Sequence, residues 1–398
     1  MSIVRHSLLA GILAAASAVD GIAQSIATLP NAELRLAESF TSITSGSLRE
    51  LQDGRVVIAD VRDRLIFVAD PRTGTVRRVA REGSGPREYR LPLRLLAAPA
   101  DSTYVFDPMN QRYLVIAPDG APSHSFRMQF PQGGPGAEFA SLASPRAIDA
   151  QGRIYSEAAG IEIGPGGPRA ADSAAIVRYD PRSHRHDTLA YVQLPRAPAS
   201  SAGGSGARPL VGGANPLQPR DEWVVFPDGR VAVVRAEPYR LDWVSADGVL
   251  RRGTPIPFTR IRVTDADKRE EQARLARALG GAVMVQMPDA ASGSPPRASA
   301  GPGLNFPVPG LDDWPETKPP FRSGAGSVFA RGNGEVWVRR TEPAGAEGSL
   351  YDILDGTGAV TRQVRLARGW TLVSVGEQFL WTTVSDDDDL IFLQRHRY

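Results

Sequence analysis

A chain of 398 residues with 42% hydrophobic and 23% charged residues has the make-up of an ordinary globular protein, long enough for one large domain or two smaller ones. A formal net charge of +2 excludes the strong field expected of a nucleic-acid or anionic-membrane binder, and nearly all the positive charge is arginine, with Lys268 and Lys318 as the lysines. Cysteine is absent, which excludes disulfides, thiol nucleophiles, thiolate metal sites and a lipid-bearing cysteine.

The opening MSIVRHSLLAGILAAASAVDGIAQS reads as a secretory signal peptide, residues 1–23. Arg5 and His6 form a short positive start, residues 8–19 an apolar centre, and Gly21 and Ala23 suit cleavage before Gln24. That apolar run is too short to span a bilayer, and no later run is longer. An exported protein is expected, periplasmic or extracellular, neither a lipoprotein nor inserted in a membrane.

From residue 31 to 398 the pattern is short β-rich runs punctuated by Asp-Gly and Asn-Gly turns, the signature of hairpins. DGRVVIAD, RLIFVAD and TVRRVA form one set of three antiparallel strands. TYVFD, RYLVIAPDG and PSHSFRM form the next, and three further sets follow. Gly54, Gly152, Gly229 and Gly334 each precede a strand by two residues. Gly74, Gly120, Gly248 and Gly358 each occupy the turn before an outer strand, a place that His184 takes in DPRSH. The period of about 49 residues is that of a propeller blade.

The stretch REGSGPREYRLP looks at first like a phosphate cradle. GPREY returns about one repeat later as GPGAEF, each copy after an outer strand and before a proline and a new blade. It therefore reads as a blade-to-blade connector: its glycines are expected to supply positive φ, its proline to fix the turn, its aromatic to anchor the loop. A P-loop would end in Gly-Lys-Ser/Thr between a strand and a helix, which this one does not.

IADVRDRLIFVAD and FDPMNQRYLVIAPDG resemble the NHL-type repeat, in which Asp, Asn and Arg precede an Ile or Tyr strand. With the connector, and with LDDWPETKPPF followed by GEVWVRR, the mature chain resembles exported bacterial six-bladed β-propellers, a group whose functions are generally unassigned. The resemblance implies an all-β propeller of six blades, or seven if the inserts hide one. Five units are plain. A sixth is expected from TLVSVGEQFLWTTVSDDDDLIFLQRHR, with ELRLAESF (residues 33–40) supplying its missing strand and so closing the ring.

Two inserts interrupt the repeats. Residues 195–219 are rich in Pro, Gly, Ala and Ser and read as a flexible loop. Residues 258–322 hold DADKREEQARLARALGG, a helix expected to begin at an N-cap Thr264, to stop at Gly280 and Gly281, and to turn Leu275 and Leu279 toward the ring. The Pro-rich remainder is expected to drape over one face and to set specificity.

No catalytic constellation is read: there is no Gly-x-Ser-x-Gly elbow, and the mature histidines are His124, His184, His186 and His396. His184 and His186 lack a third metal ligand nearby. The run Asp386–Asp389 reads as a solvated hairpin turn; oxygen-rich ligands would suit calcium, but consecutive residues in a tight turn rarely converge on one ion. No cofactor is predicted, with calcium the ion to consider. The ligand-binding candidates are Asp60, Arg64, Asp107, Asn110 and Arg112, which read more readily as structural repeat residues, and Trp314, a loop tryptophan suited to ligand contact. Trp337 and Trp381 read as packing residues. The function expected is a monomeric binding module presenting loops and a central funnel to a protein, peptide or glycan. The resemblance also reaches six-bladed lactonases and an amidating lyase with metal on the central axis. Asp60, Asp107 and Asn110 would be the first axial candidates of such a metal-dependent hydrolase or lyase.

Overall fold

Short strands joined by tight turns can pair only with their neighbours in sequence, and here they do so in six four-stranded antiparallel units. The computed structural model describes residues 26–128, 144–158, 171–195, 217–280 and 314–398, with four short strands beside them (Ile161–Gly164, Gly167–Ala170, Met284–Gln286 and Arg297–Ser299). The signal-peptide segment, the GPGAEF connector and most of the 195–219 loop lie outside the described residues.

Blades 1 to 5 each run inner to outer in chain order. Their innermost strands are Leu48–Glu50, Arg94–Ala97, Ser144–Ile148, Glu222–Val225 and Val328–Ala330. Blade 6 takes Thr371–Val375, Phe379–Ser385 and Ile391–Arg397 from the C-terminus and its outer strand, Leu34–Phe40, from the N-terminus. Each innermost strand lies against that of the next blade, and the sixth lies against the first. The chain is a six-bladed β-propeller, closed as its termini led one to expect. One addition was not foreseen: Ile26–Thr28 runs parallel to Val360–Arg365 as a fifth strand on blade 5.

Because both faces of a blade are covered, its middle strands read as unbroken apolar runs, and all five residues of Val56–Asp60 are buried. The core is correspondingly divided into six seams, one between each pair of blades. The closing seam joins Leu36, Phe40, Trp381 and Leu393 of blade 6 to Leu48, Val56 and Ile58 of blade 1. His396, fully buried on the blade 5 side of blade 6 beside Trp370, bridges the Thr382 hydroxyl (2.8 Å) and the Pro30 carbonyl (2.8 Å). Trp337 and Trp381 are both packing residues of seams.

The turns behave as their glycines require. Gly54, Gly152, Gly229 and Gly334 have φ of 85°, 82°, 88° and 93°, and His184, standing where glycine does in the other blades, adopts φ 55°. The first connector differs in one respect. Gly83 and Gly85 are not in the left-handed region; they are needed for room. A Cβ on Gly83 would fall 2.1 Å from Glu88 Oε2, because that carboxylate folds back to accept the Gly85 amide (2.8 Å) and the Arg81 Nε (2.6 Å). The supposed phosphate cradle is thus filled by its own glutamate. Tyr89, fully buried, anchors the loop and donates to the Arg64 carbonyl at 2.9 Å.

Candidate functional site

In every blade the chain enters at the same end of its innermost strand, so six strand beginnings surround one mouth of the central axis. The connections from outer strand to next inner strand lie on that mouth face, as do those between second and third strands. The described ends of four long connections leave from this face, after Arg127, Glu157, Gln193 and Arg251. Among the described residues the opposite, turn face carries the tight turns described above and the approach to the outer strand of blade 6.

At the mouth the described residues form an ion cluster drawn from three blades. Arg146, in the innermost strand of blade 3, reaches Glu157 at 2.7 Å and Glu222, at the start of blade 4, at 2.9 Å. Arg220 grips the same two carboxylates, Glu157 through a short contact and Glu222 at 3.3 Å. Trp223 Nε1 donates to Glu157 at 2.8 Å, and the Gly324 amide of blade 5 donates to Glu222 at 2.8 Å. Burial pushes the Glu157 carboxyl upward, but Arg146 and Arg220 outweigh it and hold the group below the usual carboxylate range. Blades 1 and 5 are tied across the mouth by the Gly326 amide donating to Ser45 Oγ at 3.0 Å.

Arg94 begins the innermost strand of blade 2 beside this cluster. It lies over Gly46 of blade 1, and a Cβ there would come within 3.1 Å of its Cγ, Cζ and Nη1. Among the described residues it has neither a carboxylate nor any other hydrogen-bond partner. Burial, and after it the charge of Arg146, lowers the affinity of its guanidinium for its proton. An arginine so placed is short of a counter-ion.

The long insert is fastened to this rim. Its helix, Asp265–Gly280, starts as expected at Thr264: the Thr264 amide donates to Asp267 (2.8 Å), and the Asp267 amide returns a bond to Thr264 Oγ1 (3.3 Å). The contacts that hold it are ionic. Asp267 pairs with Lys318 and accepts the Ala344 amide (2.8 Å), while Glu271, one turn later, pairs with Arg322 and with Arg274 (2.8 Å). Asp267, Glu271 and Lys318 are all buried. The side chains of Leu275 and Leu279 lie outside the described residues.

The residues singled out from the repeat are placed at the corners between second and third strands, where they hold connectors. Asp60 accepts Thr41 N (2.6 Å) and Thr41 Oγ1 (2.9 Å). Asp107 accepts the amides of Arg90 (2.9 Å) and Leu91 (3.1 Å) and the Asn110 side chain (2.8 Å). Asn110 also donates to the Gly83 carbonyl at 3.0 Å, and Arg112 donates to the carbonyls of Ser84, Gly85 and Glu88 at 3.2, 2.7 and 2.8 Å. Arg64 pairs with Glu82 at 3.0 Å. The structure brings Asp107, Asn110 and Arg112 together around one connector and leaves Asp60 and Arg64 in the neighbouring blade. Trp314 is half-buried, and its indole Nε1 is buried without a partner among the described residues.

His184 and His186 both engage Tyr179, by a 3.1 Å hydrogen bond and a 4.6 Å ring stack. Asp386 closes the acidic hairpin on itself, accepting the amides of Asp388 (3.1 Å) and Leu390 (2.9 Å). Among the described residues no three His, Cys, Asp or Glu side chains are placed to hold a metal ion, and no helix is long and apolar enough to cross a membrane.

The mouth residues Arg94, Arg146, Glu157, Arg220 and Glu222 were not singled out from the sequence. Overlaying the repeats on their innermost strands, LPLRLLA on ASPRAID on PRDEWVV, sets a charged residue at or near each strand's start, which is the signal that marks them.

No family model matches this chain, and no curated protein does. Among solved structures it is similar in fold to a member of the DUF4221 family from Bacteroides vulgatus, with 9% identity, 92% of this chain and 98% of that one covered, and a TM-score of 0.45. A calcium-binding protein, regucalcin, from Agrobacterium tumefaciens gives 13% identity, 94% and 97% coverage and a TM-score of 0.41. A catalytically inactive virginiamycin B lyase from Staphylococcus aureus, solved with quinupristin, gives 10% identity, 91% and 99% coverage and a TM-score of 0.36.

Proposed function

We propose that this chain is an exported, NHL-like propeller that acts as a monomeric binding protein in the periplasm or outside the cell, taking a protein, peptide or glycan at its axial mouth. The observation that carries the reading is the asymmetry of the ring. Its long connections, including the segment fastened by Asp267–Lys318 and Glu271–Arg322, leave from the one face where a half-buried ion cluster of blades 3 and 4 lies beside the axis. Loops on a rigid scaffold are where recognition is usually built, and charged groups held by several blades give such a site a fixed shape.

Hydrogen exchange on the purified mature chain tests this, after peptide and glycan arrays have supplied a ligand. Protection is expected at the beginnings of the innermost strands, near residues 94–95, 145–147 and 222–225. Protection confined to the turns at 53–55, 149–153 and 228–230 would put the binding face on the other side and sink the reading, as would turnover of every ligand that the arrays return.

A further inference from the structure

We propose that the axial mouth is a carboxylate site, in which one ligand carboxylate docks on Arg94 beside Arg146. This rests on the mouth being the binding face, and it names the chemistry of what enters there.

The argument begins with charge. Three guanidiniums, Arg94, Arg146 and Arg220, meet two carboxylates, Glu157 and Glu222. Arg146 and Arg220 each hold both carboxylates, so four ion pairs knit those four residues together. Arg94 has no part in that network. One positive charge is therefore left over among these five residues, in surroundings that burial has partly stripped of water. A monoanion balances the mouth. A dianion such as phosphate would overshoot and lie against Glu157 and Glu222.

Geometry points the same way. A guanidinium offers a planar fork of donors that matches a carboxylate bidentately, and Arg94 has its fork unengaged. Gly46 supplies the floor: lacking a side chain, it lets Arg94 lie flat against blade 1, and its carbonyl accepts the Leu95 amide at 2.8 Å, tying the backbone beneath the arginine to its neighbour. Gly46 is not in the left-handed region, so alanine could stand there without backbone strain. It would nevertheless push the guanidinium aside by a few tenths of an ångström, because its Cβ would come to 3.1 Å of Arg94.

Energetics supplies the third support. A half-buried charge without a counter-ion destabilises the empty protein, and a ligand that neutralises it stabilises the complex. Stability given up at one defined point is characteristic of binding residues.

The test is calorimetric titration and thermal melting of the purified mature protein with acetate, glucuronate and N-acetylalanine, monoanions that present a free acid, an acidic sugar and a peptide-like terminal carboxylate. Sulfate and phosphate at matched ionic strength are the comparison. Saturable binding of at least one carboxylate is expected, with a raised Tm, and whichever of the three binds tightest identifies the source. Arg94→Gln should weaken it on the order of 10- to 100-fold, the loss of a charge-assisted contact. Gly46→Ala, which keeps the charge but moves it, should weaken it less, and Arg72→Gln, an exposed arginine on the turn face, should leave it unchanged. Without ligand, Arg94→Gln should melt no lower than the parent, which separates loss of the site from loss of the fold. Three results would overturn the proposal: no saturable carboxylate binding, carboxylate binding that survives Arg94→Gln, or tighter binding of sulfate or phosphate than of any carboxylate. If one of these occurs while an array ligand still protects the mouth from exchange, the carboxylate inference fails alone. If the ligand protects the turn face, the reading of the mouth fails with it.

Discussion

The two faces of this ring are built by opposite means. On the turn face the connections share a local device: Asp53, Asp149, Asp228, Asn333 and Asp355 each accept an amide two residues further on. On the mouth face the decisive contacts join distant parts of the chain. Arg146 and Glu222 are 76 residues apart, Glu222 and Gly324 are 102 apart, and Ser45 and Gly326 are 281 apart. The turn face therefore forms blade by blade, whereas the mouth exists only once neighbouring blades have docked. A local rule repeated many times makes a scaffold; a single non-local arrangement makes a site.

The sharpest way to break that contrast is to strike both ends of one strand in blade 4. Glu222→Ala, at the mouth, leaves Arg146, Arg220 and the Gly324 amide facing a buried gap, and should cost about 3–5 kcal/mol in chemical denaturation, as the loss of one partner of a buried ion pair does. Gly229→Ala, in the turn that follows the same strand, forces alanine to φ 88° and sets its Cβ 2.4 Å from Arg153 Nη2. The left-handed conformation alone should cost about 1–2 kcal/mol, with the displaced arginine adding to it. A Glu222 effect no larger than that of Gly229 would mean that the cluster contributes little beyond local geometry.

The seam between blades 5 and 6, where His396 packs against Trp370, belongs to neither face and responds to pH. Burial lowers the His396 pKa below its ordinary 6.5, against the opposing bond to Pro30. The folded protein thus binds fewer protons than the unfolded chain between that lowered value and 6.5. The stabilisation is present in full above 6.5 and is lost as pH falls through the depressed folded value. Denaturation followed from pH 7.5 to 5 should show this decline, and His396→Gln should flatten it. Smallest of all, Asp228→Asn on the turn face, where both partners of the Arg230 pair are largely exposed, should change stability by no more than about 0.5 kcal/mol.

The difference between the faces also decides what can be read in the sequence. Glycines needing positive φ, Asx turns, a capping threonine and a repeated connector are local devices, each stated within four or five consecutive residues. The blades, the closing strand and the helix start were legible for that reason. The connector's glycines were legible as necessary but not for the right cause: the folded-back Glu88, not backbone conformation, excludes a side chain at Gly83. Arg94, Arg146, Arg220, Glu157 and Glu222 carry no such mark. In isolation each looks like a surface charge, and only the ring, by bringing blades 2, 3 and 4 to one axis, makes them a cluster.

The strand Leu34–Phe40 pairs with Ile391–Arg397, so two strands more than 350 residues apart in the sequence meet in one blade. Such a partner cannot arrive until residues 391–397 have been made. As the blades fold, the strand Leu34–Phe40 must wait, unpaired, until Ile391–Arg397 is in place. Any truncation that removes the final hairpin therefore exposes two raw sheet edges at once, one at each end of an open arc. The cell would meet that fragment as an aggregating species rather than as a smaller propeller.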